Sequence, residues 1–195
     1  MAKRILIIQG HPDSSAEHFA HALADAYQAG VEEAGHELKQ LVVAELDVPV
    51  LRRREDWESG TPSEPIHKSQ EAIGWADHLV LVYPLWLGSM PALLKAFLEQ
   101  VLRPGFAFGR EQAGKVGRPL LTGKSARIIV TMGMPALVYR WYFGAHSLKS
   151  LERNILGFCG VRPIRASLIG TVEAMGDAKR SRWIDKVRAL GRSAR

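Results

Sequence analysis

The clearest candidate for chemistry is segment 78–102, HLVLVYPLWLGSMPALLKAFLEQVL, in which a short aromatic loop joins an apolar strand to an amphipathic helix. Pro84 has no N–H and Pro91 occupies a first helical position, so the backbone between them is stiff while its amides remain free to donate. Three apolar side chains lie in this loop: Leu85, Trp86 and Leu87. The loop is predicted to hold a planar heterocycle edge-on. The alternative is that Trp86 fills a gap between helix and sheet.

A second candidate is the loop GHPDSSAEH, which follows the first apolar run of the chain. The side chains of His11, Ser14 and Ser15 could donate hydrogen bonds to a phosphate monoester. Backbone amides around His18 and Phe19 could complete the site, because a helix start carries partial positive charge. The loop matches neither GxxxxGK(S/T) nor GxGxxG, so it predicts neither ATP hydrolysis nor a standard nicotinamide-binding domain. A helix cap beside a chance histidine is the alternative interpretation.

The composition is that of an ordinary globular domain, with 195 residues, 47% hydrophobic and 24% charged. One domain spanning 1–195 is expected. Cys159 has no cysteine partner, which excludes an intrachain disulfide and fits a reducing cytoplasm. The His spacings complete no ligand set, so no metal is expected. The start, MAKRILIIQGHP, reads as a strand rather than a secretory signal, and no apolar run approaches the roughly 20 residues of a membrane span.

The net charge of +6 raises the question of nucleic-acid binding. Residues 173–195 hold seven Lys or Arg against three Asp or Glu, so this segment supplies four of the six excess charges. On a helix, Met175, Trp183, Ile184, Val187 and Leu190 would face inward and leave the basic residues in solvent. The pattern therefore favours a solvated helix face over a phosphate-binding stripe, and no nucleic-acid partner is expected.

The apolar pattern alternates between strand-like runs and helix-like spacing. Predicted strands are 3–9, 37–43, 78–83, 126–131 and 162–169, and predicted helices are 16–34, 64–76, 91–102, 146–158 and 173–191. This alternation predicts a doubly wound α/β fold with a five-stranded parallel sheet in the order 2-1-3-4-5 and helices on both faces. The ligand crevice would lie at the carboxyl ends of strands one and three. Segment 44–64 reads as an irregular excursion with Val50, Leu51 and Trp57 as possible anchors.

Four segments carry a resemblance to a known family: GHP, YPLWLGSMPALLKAFLEQVLRPGFAFG, GKSARIIVTMGMP and LERNILGFCGVRP. They resemble the flavodoxin-like NAD(P)H dehydrogenase (quinone) and NAD(P)H-dependent oxidoreductase family over nearly the whole chain. The resemblance implies a flavodoxin-like homodimer with FMN or FAD at the strand ends. NADH or NADPH would reduce that flavin, and a quinone or a similar azo or nitro acceptor would then accept the electrons at the same site.

The resemblance also implies roles for individual residues. The flavin phosphate and ribityl chain would contact His11, Ser15, His18 and Phe19. The isoalloxazine ring would be flanked by Pro84, Leu85, Trp86 and Leu87, with amides donating to it. Its other edge would contact Thr131, Met132, Gly133 and Tyr139. Tyr139 and His146 would be the catalytic side chains, polarising the reduced flavin or a quinone oxygen, although His146 could equally cap a helix or fill the core.

Three departures from the family pattern bear on specificity. The first loop lacks the Ser-Phe-Asn segment of many members, which favours FMN over FAD. The segment 106–109, FAFG, lacks the family's tyrosines and their hydrogen bonds to a quinone. Segment 132–135, MGMP, replaces a glycine pair, so the acceptor could differ from a quinone.

Segment 103–118 would form a mobile flap that reaches the partner's flavin. The alternative function is a non-catalytic subunit docking on a partner such as a potassium-efflux system through the basic last helix.

Overall fold

Five parallel strands lie at the centre of the protein, as a computed structural model describing residues 2–110 and 117–195 shows. The strands are β1 (Arg4–Gln9), β2 (Glu37–Val42), β3 (His78–Pro84), β4 (Ser125–Thr131) and β5 (Ile164–Ile169). They are hydrogen-bonded in the order β2-β1-β3-β4-β5. The predicted doubly wound sheet and its strand order are therefore confirmed. The winding direction changes between β1 and β3, which is where such folds bind ligands.

Helices cover both faces of the sheet. In chain order they are α1 (Phe19–Glu33), α2 (Arg54–Glu58), α3 (Glu64–Trp75), α4 (Ala92–Val101), α5 (Ala136–Trp141), α6 (His146–Lys149), which continues into a π-helical turn (Ser150–Leu156), and α7 (Asp177–Ser193); a 3-10 turn at Val43–Glu45 follows β2. One core, which includes Ile5 and Val187, lies between the sheet, α1 and α7. The other, which includes Leu81 and Phe97, lies under α3, α4 and the π-helical turn. β1 and β3 are continuously apolar because both of their faces are buried.

Helices α1 and α7 pack backbone against backbone. A β-carbon at Gly30 would lie 2.0 Å from the carbonyl oxygen of Arg188, and one at Gly191 would lie 2.2 Å from the carbonyl oxygen of Tyr27. Even close C–H···O contacts keep carbon and oxygen about 3.3 Å apart. Glycine at both positions is therefore what lets the two helices approach this closely, and an ion pair between Arg188 and Glu33 joins them at the surface.

Several elements differ from the sequence-based expectation; among them, α7 begins at Asp177 rather than at residue 173. Helix α1 begins at Phe19 rather than at residue 16, because the Asp13 carboxylate accepts hydrogen bonds from Ser15 and contacts His18, holding this stretch as a loop. Helix α5 forms inside a segment predicted to be a loop. Its apolar side chains are mostly exposed, so they lack the one-sided burial on which helical periodicity depends.

The excursion after β2 contains α2 and is fastened by Arg103. The buried Arg103 guanidinium donates to the carbonyl oxygens of Asp56 at 2.8 Å and Gly60 at 2.9 Å. Trp57 packs on Phe108 with ring centroids 5.8 Å apart. Val50 is 67% exposed, so its predicted anchoring role is wrong. Of the segment predicted to form a flap, residues 111–116 lie outside the described part of the chain.

His78 is a buried polar residue at the start of β3, at the edge of the sheet opposite the predicted crevice. Its Nδ1 lies 2.7 Å from the Ser125 hydroxyl, and its Nε2 has no hydrogen-bond partner among the described residues. Burial, followed by the nearby cations of Lys3 and Arg127, lowers the pKa of His78 to about 4. The imidazole is therefore neutral in the folded protein near pH 7.

No helix in residues 2–110 or 117–195 has both the length and the apolar character that crossing a membrane requires.

Candidate functional site

The loops after β1, β3 and β4 meet at the carboxyl edge of the sheet. The amide of Gly10 donates to the Val82 carbonyl oxygen at 2.8 Å, and the amide of Leu85 donates to the Thr131 carbonyl oxygen at 2.7 Å. These bonds extend the strand ladders by one step and fix where the three loops begin. The predicted convergence at the β1–β3 switch point is thus present in the structure.

Gly10 is required by the packing beneath the first loop. A β-carbon at this position would lie 2.6 Å from one methyl carbon of Leu94 and 3.0 Å from the other. Leu94 belongs to α4 and is fully buried, so it cannot swing into solvent. Glycine therefore lets α4 approach the end of β1 and sets the floor of the crevice.

Contacts among three aromatic rings join the loop after β1 to the loop after β3. The His11 imidazole stacks on His18 with centroids 3.8 Å apart and meets Trp86 edge-on at 5.9 Å. Burial, and then the charge of His18, lowers the pKa of His11, so its ring is neutral near pH 7. The neutral ring adds no charge to the crevice but keeps one nitrogen able to donate and one able to accept.

Asp13 organises the polar part of the first loop. Its carboxylate accepts from the Ser15 amide at 2.8 Å and the Ser15 hydroxyl at 2.6 Å, and it lies 2.9 Å from His18 Nε2. Hydrogen bonds from Ser15 and His18 hold the pKa of Asp13 well below its usual range. Two of the side chains predicted to bind a phosphate, Ser15 and His18, are therefore already paired with an anion. A ligand phosphate would share them with Asp13 or displace it.

The start of α1 supplies additional donors. The first helical bonds to the His18 carbonyl oxygen come from His21 and Ala22. Among the described residues, the amides of Phe19 and Ala20 have no acceptor, as expected for the first turn of a helix. These two amides can bind an anion.

The loop after β3 is a tight turn closed by its own backbone. Trp86 and Ser89 exchange two hydrogen bonds, each of 2.9 Å, across Leu87 and Gly88. The amides of Leu85 and Trp86, predicted to donate to a ring, are consequently used within the protein. Within residues 2–110 and 117–195, the amides of Leu87 and Gly88 have no acceptor. Of the predicted donors, the Leu87 amide thus remains available to a ligand, and the Gly88 amide is an additional donor that was not predicted.

Leu87 combines a left-handed backbone conformation with a fully exposed side chain, and both are unfavourable for leucine. Its φ of 47° lies in the left-handed region, where a residue with a β-carbon pays about 1–2 kcal/mol. Its side chain is 106% exposed, and the neighbouring Trp86 is 50% exposed. Strain combined with an exposed apolar side chain is typical of a binding loop. Pro84, which pairs in register with Thr131, lies buried below this turn.

The loop after β4 presents fewer groups than predicted. Thr131 and Met132 are buried, and the Met132 side chain belongs to the core under α4. Gly133 is exposed, and a β-carbon there would lie 3.3 Å from the carboxylate of Glu173. Of these three residues, Gly133 is the one at the surface, with a carboxylate beside it.

Tyr139 and His146 lie on opposite sides of the turn between α5 and α6. The Tyr139 ring is buried, and its hydroxyl accepts from the Leu148 amide at 3.2 Å. Burial raises the pKa of Tyr139, so the phenol remains protonated. His146 is exposed and its ring folds back over Gly144. Their predicted catalytic roles remain predictions.

Two contacts at this edge were missed by the sequence reasoning. The Arg180 guanidinium lies 5.0 Å from the centre of the Phe19 ring and donates to the carbonyl oxygens of Val172 and Met175. The sequence-based interpretation placed Arg180, with the other basic residues of this segment, in solvent. The hydroxyls of Ser89 and Ser147, 3.1 Å apart, join the turn after β3 to α6.

A cavity of about 910 Å³ lies away from the strand ends, between α2, α4 and the π-helical turn. Its apolar lining includes Trp57, Leu98, Phe108 and Phe158. Because it lies away from the strand ends, the cavity is separate from the crevice.

Within the described ranges, no group of three or more His, Cys, Asp or Glu side chains is placed to hold a metal ion.

Comparison with known proteins gives a consistent result. The sequence model of a family described by its flavodoxin-like fold matches residues 3–190. An uncharacterised NAD(P)H oxidoreductase of Haemophilus influenzae is 30% identical, covering 92% of this chain and 90% of its own. An FMN-dependent NADH:quinone oxidoreductase of Nitratidesulfovibrio vulgaris is 29% identical, covering 95% and 97%. A crystal structure from Streptococcus mutans superposes with a TM-score of 0.82 at 28% identity, covering 97% and 99%.

Proposed function

The chain belongs to the family with the flavodoxin-like fold, and from this we propose that it is an FMN-dependent NAD(P)H oxidoreductase. It passes hydride from NADH or NADPH to a quinone or a similar azo or nitro acceptor. The names of the two relatives support this activity. The observation that carries it is the meeting of an anion-binding helix start with an exposed aromatic turn, joined by the contact of His11 with Trp86.

The residues present fit a flavin mononucleotide. The free amides of Phe19 and Ala20 suit its phosphate, and the charge of Arg180 beside Phe19 adds attraction for an anion. The Trp86 side chain offers the ring system an apolar contact. Bound FMN supplies the two-electron redox chemistry.

The remaining work falls to the protein's own groups. The amides of Leu87 and Gly88 would donate to the ring edge that they face and stabilise negative charge there without moving. Their fixed position follows from the two hydrogen bonds that close the turn. The exposed side chain of Leu87 would exclude water from the acceptor. We assign to the Tyr139 phenol, aided by the exposed His146, the polarisation of the reduced flavin or of a quinone oxygen.

We also propose that the protein is a homodimer. The lining of the 910 Å³ cavity contains three aromatic side chains, Trp57, Phe108 and Phe158, among polar and charged ones, and Phe158 is 42% exposed. A second copy would cover this apolar surface and remove it from water.

Because NAD(P)H is an intracellular reductant, the cytoplasm is the proposed location. No nucleic-acid partner is proposed, since Arg188 and Arg192 of the basic helix are paired with Glu33.

The absorbance spectrum of the purified protein tests the proposal. Bands near ~375 and ~450 nm are expected for an oxidised flavin, and heat-released flavin should be FMN. Anaerobic addition of NADH and of NADPH should bleach the long-wavelength band and show which donor is preferred. A colourless protein that takes up neither FMN nor FAD would refute the redox assignment. That outcome would favour the non-catalytic docking subunit.

A further inference from the structure

The phosphate donors of the first loop are bonded to a carboxylate of the chain itself. The Ser15 amide, the Ser15 hydroxyl and His18 Nε2 lie 2.8, 2.6 and 2.9 Å from the oxygens of Asp13. Because an ionised carboxylate can only accept, His18 donates from this nitrogen. Two oxygens of one anion thus receive three donors, at the distances that charge-assisted hydrogen bonds to a phosphate would have.

The Asp13 side chain is an anion at the start of a helix. Hydrogen bonds from Ser15, and then from His18, hold the pKa of Asp13 well below its usual range, so the carboxylate is charged near pH 7. Helix α1 has no acidic residue in its first turn, and His18 is its N-cap residue. The pairing with His18 therefore brings a negative charge to this helix start, where the outward-pointing amides stabilise it. Asp13 meets the same need there that a bound phosphate would.

The carboxylate can leave this position while the loop keeps its shape. The amide nitrogen and the carbonyl oxygen of Asp13 lie 3.1 and 3.0 Å from Nδ1 of the buried His11, so its backbone is held separately from its side chain. The Asp13 side chain is 41% exposed. Among the described residues, its carboxylate bonds to Ser15 and His18 alone. Rotation of this side chain into water would free all three donors.

We propose that Asp13 occupies the phosphate subsite of the flavin-free protein and that a flavin phosphate must displace it. This inference rests on the proposed function and names the group with which the phosphate competes. The displaced carboxylate would remain beside the phosphate as a like charge, and like charges repel. Asp13 therefore lowers the affinity for FMN selectively, because riboflavin has no phosphate to compete. The consequence is a cofactor that exchanges more readily than its donors alone would allow.

The flavin affinity of Asp13→Asn tests the proposal. Protein freed of bound flavin is titrated with FMN and with riboflavin at low salt, where charge effects are least screened, and flavin fluorescence reports the Kd. Asparagine keeps the size of the side chain and removes its charge. FMN should therefore bind the variant about tenfold more tightly than it binds wild type, and the affinity for riboflavin should not change. Asp13→Ser, a second variant without the charge, should show the same gain.

Glu17→Gln is the matched control. Glu17 is an exposed carboxylate of the same loop and has no bonded partner in residues 2–110 and 117–195. This variant changes the net charge by the same amount and should bind both flavins as wild type does. Circular dichroism confirms that each variant is folded.

Three results would overturn the proposal. The first is an Asp13→Asn protein that binds FMN no more tightly than wild type, since Asp13 would then brace the loop. The others are an equal gain for riboflavin and an equal gain from Glu17→Gln. If neither wild type nor variant takes up FMN or FAD, the redox proposal fails and this inference fails with it. FMN binding that does not respond to Asp13 leaves the redox proposal standing.

Discussion

Replacing Gly191 with alanine should destabilise the protein, although alanine is the better helix former. In an open helix the change would gain about 1 kcal/mol. Here the new β-carbon would lie 2.2 Å from the Tyr27 carbonyl oxygen and 3.1 Å from the Val31 amide nitrogen. All of these atoms are backbone, so the overlap is relieved only if α1 and α7 separate. Overpacking of this kind costs about 1–3 kcal/mol and sometimes more.

The overpacking cost should lie near the upper end of that range, about 3 kcal/mol, because no flexible side chain can yield. Subtracting the gain in helix propensity of about 1 kcal/mol leaves a net loss of about 2 kcal/mol. Urea unfolding followed by circular dichroism measures it, and the melting temperature should fall by roughly 4–8 °C. Gly74→Ala is the matched control, because Gly74 also lies within a helix and a β-carbon there would meet nothing nearer than a Phe106 ring carbon at 3.9 Å. A Gly191→Ala protein as stable as wild type would refute the close crossing of the two helices.

Four further predictions concern the site and its supports. Trp86→Ala should weaken FMN binding about tenfold by fluorescence titration, whereas Trp141→Ala, a change at another exposed tryptophan, should not. Tyr139→Phe should slow acceptor reduction about 10–100-fold in stopped-flow measurements and leave flavin reduction by NAD(P)H unchanged; equal slowing of both steps would contradict its assigned role. Arg103→Met should remove the hydrogen bonds that the charged guanidinium donates to the Asp56 and Gly60 carbonyl oxygens, at a cost of about 1.5–3 kcal/mol. It should also speed proteolysis in the α2 segment, so unaltered cleavage would contradict the proposed role of Arg103. Because the pKa of His78 is lowered to about 4, the unfolded chain binds the extra proton as pH falls from about 6.5 to 4. Stability should drop by about 3 kcal/mol over that window, and His78→Gln should flatten the slope in denaturation series.

The sequence was sufficient for the sheet and for the position of the crevice. Continuous apolar runs in β1 and β3, with helices between strands, specify a parallel sheet buried on both faces and hence its switch point. The bounds of α4 follow from Pro91 and the apolar spacing after it. These features depend on periodicity and on residues that restrict the backbone, and both can be recognised in the sequence alone.

The details of the site depend on contacts that the sequence does not announce. A left-handed Leu87 is unexpected without a glycine, so the turn that occupies the amides of Leu85 and Trp86 could not be foreseen. Several side chains of the first loop could cap the helix, so the sequence does not show that the Asp13 carboxylate pairs with Ser15. The approach of Arg180 to Phe19 joins residues far apart in the chain.

The backbone contact between α1 and α7 also bears on the order of folding. Helix α1 carries the proposed phosphate site at its start, yet the helix that it packs against is made after β5. While the chain is being synthesised, α1 therefore has a sheet on one side and water where α7 will lie. Contacts this distant in sequence form late, because loop-closure entropy must be overcome first. FMN should accordingly bind only after α7 has docked on α1. The nascent chain would then not bind its cofactor until α7 has left the ribosome.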